Sequence, residues 1–500
     1  MGDDETRGSG PNGAGRAPNI LVVMSDQHRA DMMGCSGDPV VRTPVLDRLA
    51  AEGVRFSRAI CQGPLCMPAR ASLLTERYVR DHGVFENSSE VDFALPTGVQ
   101  SLREAGYHTA VIGKTHLWMH GGRRGVSTAE MEQHLVRYGF DEVHETVGKL
   151  ANLGHVNPYT SYLETAGLLD EYRRHVGARS YVTQQSDEQP SKRVPMWDAT
   201  PINVPPESYV DAWHGARTVD WIDAYSGDKP FFLFVGFPGP HDPWDAPREA
   251  VDAYRDVDIP LPGSTTRPEE QGGVYGAFLR AFQGLSNSDT LTDDRIRDVR
   301  RAYYGDISII DSAIGDILDA LARRGELDNT WVIYTTDHGE MMGEHRMLSK
   351  MVFYDPAVRI PLIVRPPGGC AASVVDDRVE QFDISATCNE IAGARPVPGS
   401  EARSLLPVIR GEAEAPTRPA SISENWGFAL FETDRHKLVV WEDDVTPVAL
   451  FDRAEDPLED HNLIDDPVYG SVIEELMTAH ARPFLTTPAA RPHRSRFDNR

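Results

Sequence analysis

No run of apolar residues in this chain approaches the roughly 18 needed to span a bilayer, so no membrane helix is expected. Met1 to Pro18 is rich in Gly, Asp and Arg and lacks the apolar stretch of a secretory signal. It reads as a disordered tail on a cytoplasmic protein. Cysteine is scarce: Cys35, Cys61, Cys66, Cys370 and Cys388 form an odd set without zinc-type Cys-x-x-Cys pairs, which suits a reducing compartment better than a disulfide framework. Positive charge is also in deficit. Against 76 Asp and Glu stand 50 Lys and Arg, a formal net charge of -26 that repels nucleic acid and anionic lipid. The same field repels an anionic substrate, so any site for one must be locally positive.

What remains is an ordinary soluble composition, 40% hydrophobic and 25% charged, and no internal repeat. The length of 500 residues accommodates either two or three domains or one large α/β enzyme. Asn19 to Ser25 (NILVVMS) is an apolar run leaving through Asp26-Gln27, which reads as a buried parallel strand. Leu46, Leu49, Ala50 and Val54 predict a crossover helix over 43–56. Further strands are expected at His108–Gly113, Pro230–Gly236, Thr330–Thr336 and Pro361–Val364. The strongest helical pattern runs from about Asp294 to Arg324. This alternation predicts an α/β fold, a large doubly wound, mixed but mostly parallel sheet flanked by helices. Residues 117–228, polar and rich in proline, read as insertions that shape a pocket. Past Pro396, strands at Lys437–Glu442 and Val448–Asp452 and a helix near Tyr469–Ala481 predict a small C-terminal α+β subdomain. The expected division is a tail over 1–18, an α/β domain over 19–395, the subdomain over 396–490 and a tail over 491–500.

Ligands of such sheets lie at the carboxyl ends of the strands, and Asp26, Lys114, His241, Asp337 and His338 all fall there. Asp26-Gln27 and Asp337-His338 offer two carboxylates, an amide oxygen and an imidazole to one edge. A hard divalent cation takes such oxygen ligands, and the histidine widens the choice from Ca²⁺ or Mg²⁺ toward Mn²⁺. Either pair alone is a weak signal, since a strand-end Asp is more often a helix cap. The run Leu65-Cys66-Met67-Pro68-Ala69-Arg70 puts a cysteine at the entrance of a helix, where free N–H groups and the dipole gather. A thiol there is expected to be acidified, although a lone cysteine is more often a buried core residue.

The ordered set CMPAR at Cys66–Arg70, GKTHL at Gly113–Leu117, PHDP at Pro240–Pro243, TTDHGEMMGEH at Thr335–His345, Lys350 and the closing LFD…EDP…NL at Leu450–Leu463 resembles the type I sulfatases of the alkaline phosphatase superfamily, from Asn19 through Leu463. The resemblance implies that Cys66 is oxidised to formylglycine by a formylglycine-generating enzyme and is therefore not paired with Cys61. It implies one divalent cation, Ca²⁺ ahead of Mn²⁺ and Mg²⁺, held by Asp26, Gln27, Asp337, His338 and the modified Cys66. Arg70, Lys114 and His116 would orient the nucleophile, and His241 and Lys350 would contact the ester anion and its leaving oxygen. Asn87, after HGVFE, is a substrate-binding candidate. The implied substrate is a small sulfate monoester, with no nucleic acid or membrane partner, and a homo-oligomer is open.

Two departures from the pattern bear on this reading. Glu76 stands where the family signature carries glycine, harmless on an outer helix face and harmful if close packing needs the glycine. Gln27 and His338 resemble the phosphonate monoester hydrolase and choline-sulfatase branch. A phosphonate monoester or phosphodiester hydrolase with the same site is therefore one alternative, and an inactive ester-binding homologue with unmodified Cys66 is another. His28 and His345 read as structural, and His82 and His120 as solvated. Trp118 and Trp244 read as packing residues that could also line a pocket.

Overall fold

The protein is represented by a computed structural model that describes residues 16–117, 128–179, 194–286, 288–412 and 418–488. Trp118, His120 and nearly all of both expected tails lie outside these residues. The eight strands of the main sheet are β1 (Asn19–Ser25), β2 (Val54–Ile60), β3 (His108–Gly113), β4 (Glu142–Glu145), β5 (Phe231–Gly236), β6 (Thr330–Thr336), β7 (Arg359–Arg365) and β8 (Ser373–Glu380), in the order β4-β3-β5-β1-β6-β7-β2-β8. Only β7 runs against its neighbours; the other pairings are parallel. The expected mixed, mostly parallel sheet is what forms.

The apolar run of β1 is explained by its central place, since both faces are covered. Ile20 and Val22 join a core with Met67, Leu74, Val99, Leu102 and Ile384. Leu21 and Val23 join the opposite core with Leu46, Leu49, Ile314, Ile317 and Leu321. The long helix Asp293–Arg323 supplies the last three, as its periodicity predicts.

Three expectations need correction. The helix expected over 43–56 ends at Ala51. Val54 and Phe56 point inward while Arg55 and Ser57 do not, so this is the two-residue period of β2 rather than helical spacing. Residues 117–228 are more than insertions: β4 extends the sheet edge, and Trp221 and Ile222 of the helix Val210–Ala224 pack into its core. His82 is buried rather than solvated, with its ring bonded to Ser72 Oγ at 2.9 Å and the Val84 N–H at 3.0 Å.

The C-terminal subdomain is an antiparallel sheet of β9 (Ser421–Asn425), β10 (Phe428–Glu432), β11 (His436–Trp441) and β12 (Thr446–Asp452). Its first two strands were not expected from sequence. No helix among the described residues is long and apolar enough to cross a membrane.

Candidate active site

Five strands deliver side chains to the carboxyl edge of the main sheet. Asp26 follows β1, Asp337 and His338 follow β6, Lys114 follows β3, His241 sits on the loop after β5, and Cys66 opens the helix that β2 leads into. That helix, Cys66–Thr75, has no cap from its own N-cap residue Leu65. Asn87 supplies one instead, its Oδ1 accepting from the Met67 N–H at 3.0 Å. The carbonyl of this substrate-binding candidate is thus committed to positioning Cys66.

Cys66 Sγ lies 3.2 Å from His338 Nε2 and 3.9 Å from Asp26 Oδ1. The expected acidified thiol is not found. Burial and the Asp26 charge push it up to about 12, against Lys350 and Lys114. Desolvation of a fully enclosed sulfur outweighs the helix dipole.

Arg70, one turn on, ties the carboxylates together. Its Nε donates to Asp337 Oδ2 at 2.8 Å and its Nη2 to Asp26 Oδ2 at 3.0 Å, while Nη1 donates to the carbonyls of Lys114 and Thr115 at 2.9 and 3.2 Å. Lys114 Nζ reaches Asp26 Oδ2 at 2.5 Å. Burial alone would raise the Asp26 carboxyl, but Lys114, His241, Arg70 and His338 hold it well below the usual range. His116 follows on the same turn, half-buried, with φ of 50°. The Thr115 N–H donates to both oxygens of Glu145 at 3.1 Å.

Across the edge, Lys350 Nζ donates to Gln27 Oε1 and meets His241 Nε2 at 2.6 Å. Gln27 Nε2 donates to Glu340. Because Glu340 accepts and Lys350 donates, the Gln27 amide has one orientation only. His241 Nδ1 lies 2.7 Å from the Asp242 carbonyl. That acceptor requires the proton on Nδ1 and leaves Nε2 to accept from Lys350.

Asp26, Cys66, Asp337 and His338 present ligand atoms within 4.8 Å of one another, all buried. His338 Nδ1 lies 3.0 Å from the Gly339 carbonyl, which turns the Nε2 lone pair into the cluster, as metal-binding imidazoles require. Two carboxylates, one imidazole and a side chain at 66 fit a hard or borderline divalent cation.

A family profile described as Sulfatase matches residues 18–394. The chain belongs to the sulfatase family. A second profile, N-sulphoglucosamine sulphohydrolase, C-terminal, matches residues 343–482. Membership makes the protein a hydrolase of the sulfatase class within the alkaline phosphatase superfamily. Over 92% of each chain it is 28% identical to an arylsulfatase of Clostridium perfringens. It is 28% identical to a choline-sulfatase of Rhizobium meliloti, over 92% of this chain and 85% of that one. The solved phosphonate monoester hydrolase of Silicibacter pomeroyi superposes with a TM-score of 0.77 at 25% identity, over 94% of this chain and 96% of that one.

Within this sulfatase, the structure gathers Asp26, Gln27, Cys66, Arg70, Lys114, His241, Asp337, His338 and Lys350 through the contacts above. His28 and His345 are structural as expected: His28 bonds Tyr334 OH and the Met32 carbonyl, and His345 stacks on Tyr354 at 3.8 Å. Trp244 is buried among Met32, Tyr303 and Leu348. Asp242 and Glu340 escaped sequence reasoning although both lie inside quoted motifs. Their signal was the motif itself, read for its neighbours.

Proposed function

We propose that this enzyme hydrolyses sulfate monoesters with a formylglycine made from Cys66, and that Asp26, Gln27, Asp337, His338 and residue 66 hold one divalent cation. The observation that carries the reading is Cys66 itself, buried inside a carboxylate–imidazole cage at a helix N-terminus. Formylglycine would supply a hydrated aldehyde, one hydroxyl attacking sulfur and the other expelling sulfate as the aldehyde re-forms. The cation, when bound, supplies Lewis acidity toward the ester oxygens.

The protein's own residues do the rest. Arg70 fixes both carboxylates and, through two carbonyls, the Lys114–Thr115 turn. Lys114 and Lys350, both buried, offset the substrate's negative charge. The Lys350–His241 pair holds a proton where an alkoxide would depart, with Lys350 the donor and His241 its acceptor.

Charge selects the substrate class. Arg70, Lys114 and Lys350 balance Asp26, Asp337 and Asp242. One divalent cation less one ionised nucleophile then leaves a single positive charge. Glu340, pushed up to about 7 by burial, adds at most one negative charge. The site therefore suits a monoanion better than a dianionic phosphate monoester.

Phosphonate monoesters and phosphodiesters are also monoanions, and the phosphonate monoester hydrolase likeness favours them as a second reading. The test is kcat/KM on nitrophenyl sulfate, phenylphosphonate, phosphodiester and phosphate under one set of conditions. Sulfate first is expected. Phosphate monoester first would overturn both the charge argument and the assignment.

A further inference from the structure

The loop that carries His241 is gripped on both sides by buried ionisable groups outside the site. Two residues before His241, the Gly239 N–H donates to Asp211 Oδ1 at 2.8 Å. Two residues after it, the Pro243 carbonyl accepts from Lys149 Nζ at 3.4 Å. Lys149 also donates to Asp306 Oδ2 and to Tyr209 OH, both at 2.7 Å. Tyr209 OH in turn lies 3.2 Å from Asp245 Oδ1 and 3.1 Å from Asp306 Oδ2. Asp211, Asp245, Asp306 and Lys149 are all buried, and they come from two helices and two loops.

The grip is tight at Gly239. A Cβ there would lie 2.7 Å from Asp211 Oδ2 and 2.8 Å from Asp306 Oδ1, so only glycine fits between the two carboxyl groups. Among the described residues, no N–H or hydroxyl reaches either of these buried oxygens. The two oxygens instead crowd the same point beside Gly239, and a proton on one carboxyl group relieves the repulsion between them. Burial first and the Asp306 charge second hold the Asp211 carboxyl well above the usual carboxylate range, against Lys149. Asp211 is thus the carboxyl that favours its proton: Oδ1 accepts from Gly239 and Oδ2 is turned toward Asp306, whose other oxygen accepts from Lys149.

We infer that Asp211, hydrogen-bonded to Gly239 and facing Asp306, is a positioning residue for His241, and that with Lys149 it clamps the loop and sets where the Lys350–His241 pair meets the leaving oxygen. The inference rests on the sulfatase reading and adds to it a cluster that touches neither substrate nor cation. Its chemical signature follows from the step it serves. A displaced proton donor harms the departure of a basic alkoxide and hardly affects a leaving group that needs no proton. A cluster that only stabilised the fold would affect all leaving groups alike.

The experiment compares wild type, Asp211→Asn and Asp211→Ala on aryl sulfates whose phenols range from weakly to strongly basic. Asparagine reproduces the protonated acid, Oδ1 accepting from Gly239 and Nδ2 donating to Asp306. Asp211→Asn should stay within about threefold of wild type, and Asp211→Ala should lose up to roughly 10²-fold in kcat on the most basic leaving group. Nitrophenyl sulfate turnover and KM should change little in either. Should the alanine variant not fold, Asp211→Ser is measured in its place. An equal loss across the series, or an asparagine variant as impaired as alanine, overturns the inference while leaving the sulfatase reading intact. A wild-type enzyme silent on every aryl sulfate overturns both.

Discussion

Cys66 Sγ lies 3.2 Å from His338 Nε2, inside a cage where it serves poorly as a thiol. Burial and Asp26 keep the proton on sulfur, and a protonated sulfur is neither a good nucleophile nor a good ligand. An oxygen-bearing side chain at this position would suit the surrounding carboxylates and imidazole far better.

Co-expression with a formylglycine-generating enzyme should therefore yield an aldehyde on the peptide spanning Cys66, read by mass spectrometry and by reaction with a hydrazide probe. Cys66→Ala should remove activity. Full activity from a protein whose Cys66 is wholly thiol would reject the modification.

Chelation should abolish turnover, and Ca²⁺, Mn²⁺ or Mg²⁺ added back one at a time should identify the ion that restores it. Asp337→Asn should lower metal occupancy and activity together, because Asp337 Oδ2 lies 3.7 Å from His338 Nε2 and also anchors Arg70. A double variant Asp26→Ala, Asp337→Ala that retained its full metal content would place the ion elsewhere.

Arg70→Lys tests geometry apart from charge. Lysine keeps the cation but cannot donate in three directions to Asp26, Asp337 and the Lys114–Thr115 carbonyls. A loss of roughly 10²–10³ in kcat is expected. Near-normal rates would mean that only the charge matters.

Glu76 stands in the left-handed region, φ 57°, at the C-terminus of the Cys66–Thr75 helix, which explains the glycine of the family signature. Its carboxylate accepts from Ser385 Oγ at 2.8 Å, from Asn389 Nδ2 at 2.9 Å and from Ser400 Oγ. These bonds offset a backbone cost of about 1–2 kcal/mol. Glu76→Ala should destabilise by about 1–3 kcal/mol. Glu76→Gly should lose less, because it relieves the left-handed turn. Denaturant unfolding gives the order, and glycine above wild type would contradict it.

The same carboxyl is raised by burial despite its hydrogen bonds. A raised acid binds its proton more tightly folded than unfolded. Its contribution to stability is complete below the unfolded pKa and is lost as pH rises through the folded value. Glu76→Gln cannot ionise, so its melting temperature relative to wild type should climb from acid to neutral pH. A flat difference would show that burial costs Glu76 nothing.

Much of the site could be read from sequence because Asp26, Lys114 and Asp337 each follow an apolar strand, and strand ends converge whatever the loops between them do. The parts that escaped depend on partners distant in the chain. Glu76 looked like a surface or packing question until Ser385 and Ser400 came beside it. His82 seemed solvated because nothing nearby in sequence foretells burial by a helix. Lys149 and Asp211 fell in a polar stretch read as insertion, since β4 is a four-residue edge strand with only one buried residue. The thiol was misjudged for a related reason: a helix dipole can be seen in a sequence and desolvation cannot.

Burial of Cys66 also imposes an order in time. Folded, residue 66 has no exposed surface, and its cage is complete only once β6 has paired with β1. His338 follows Cys66 by 272 residues. At about 5–20 residues per second, Cys66 leaves the ribosome on the order of 10–50 s before His338 is made. Any enzyme that modifies Cys66 needs the chain before the cage closes or after it has reopened, which ties access to residue 66 to the rate of translation.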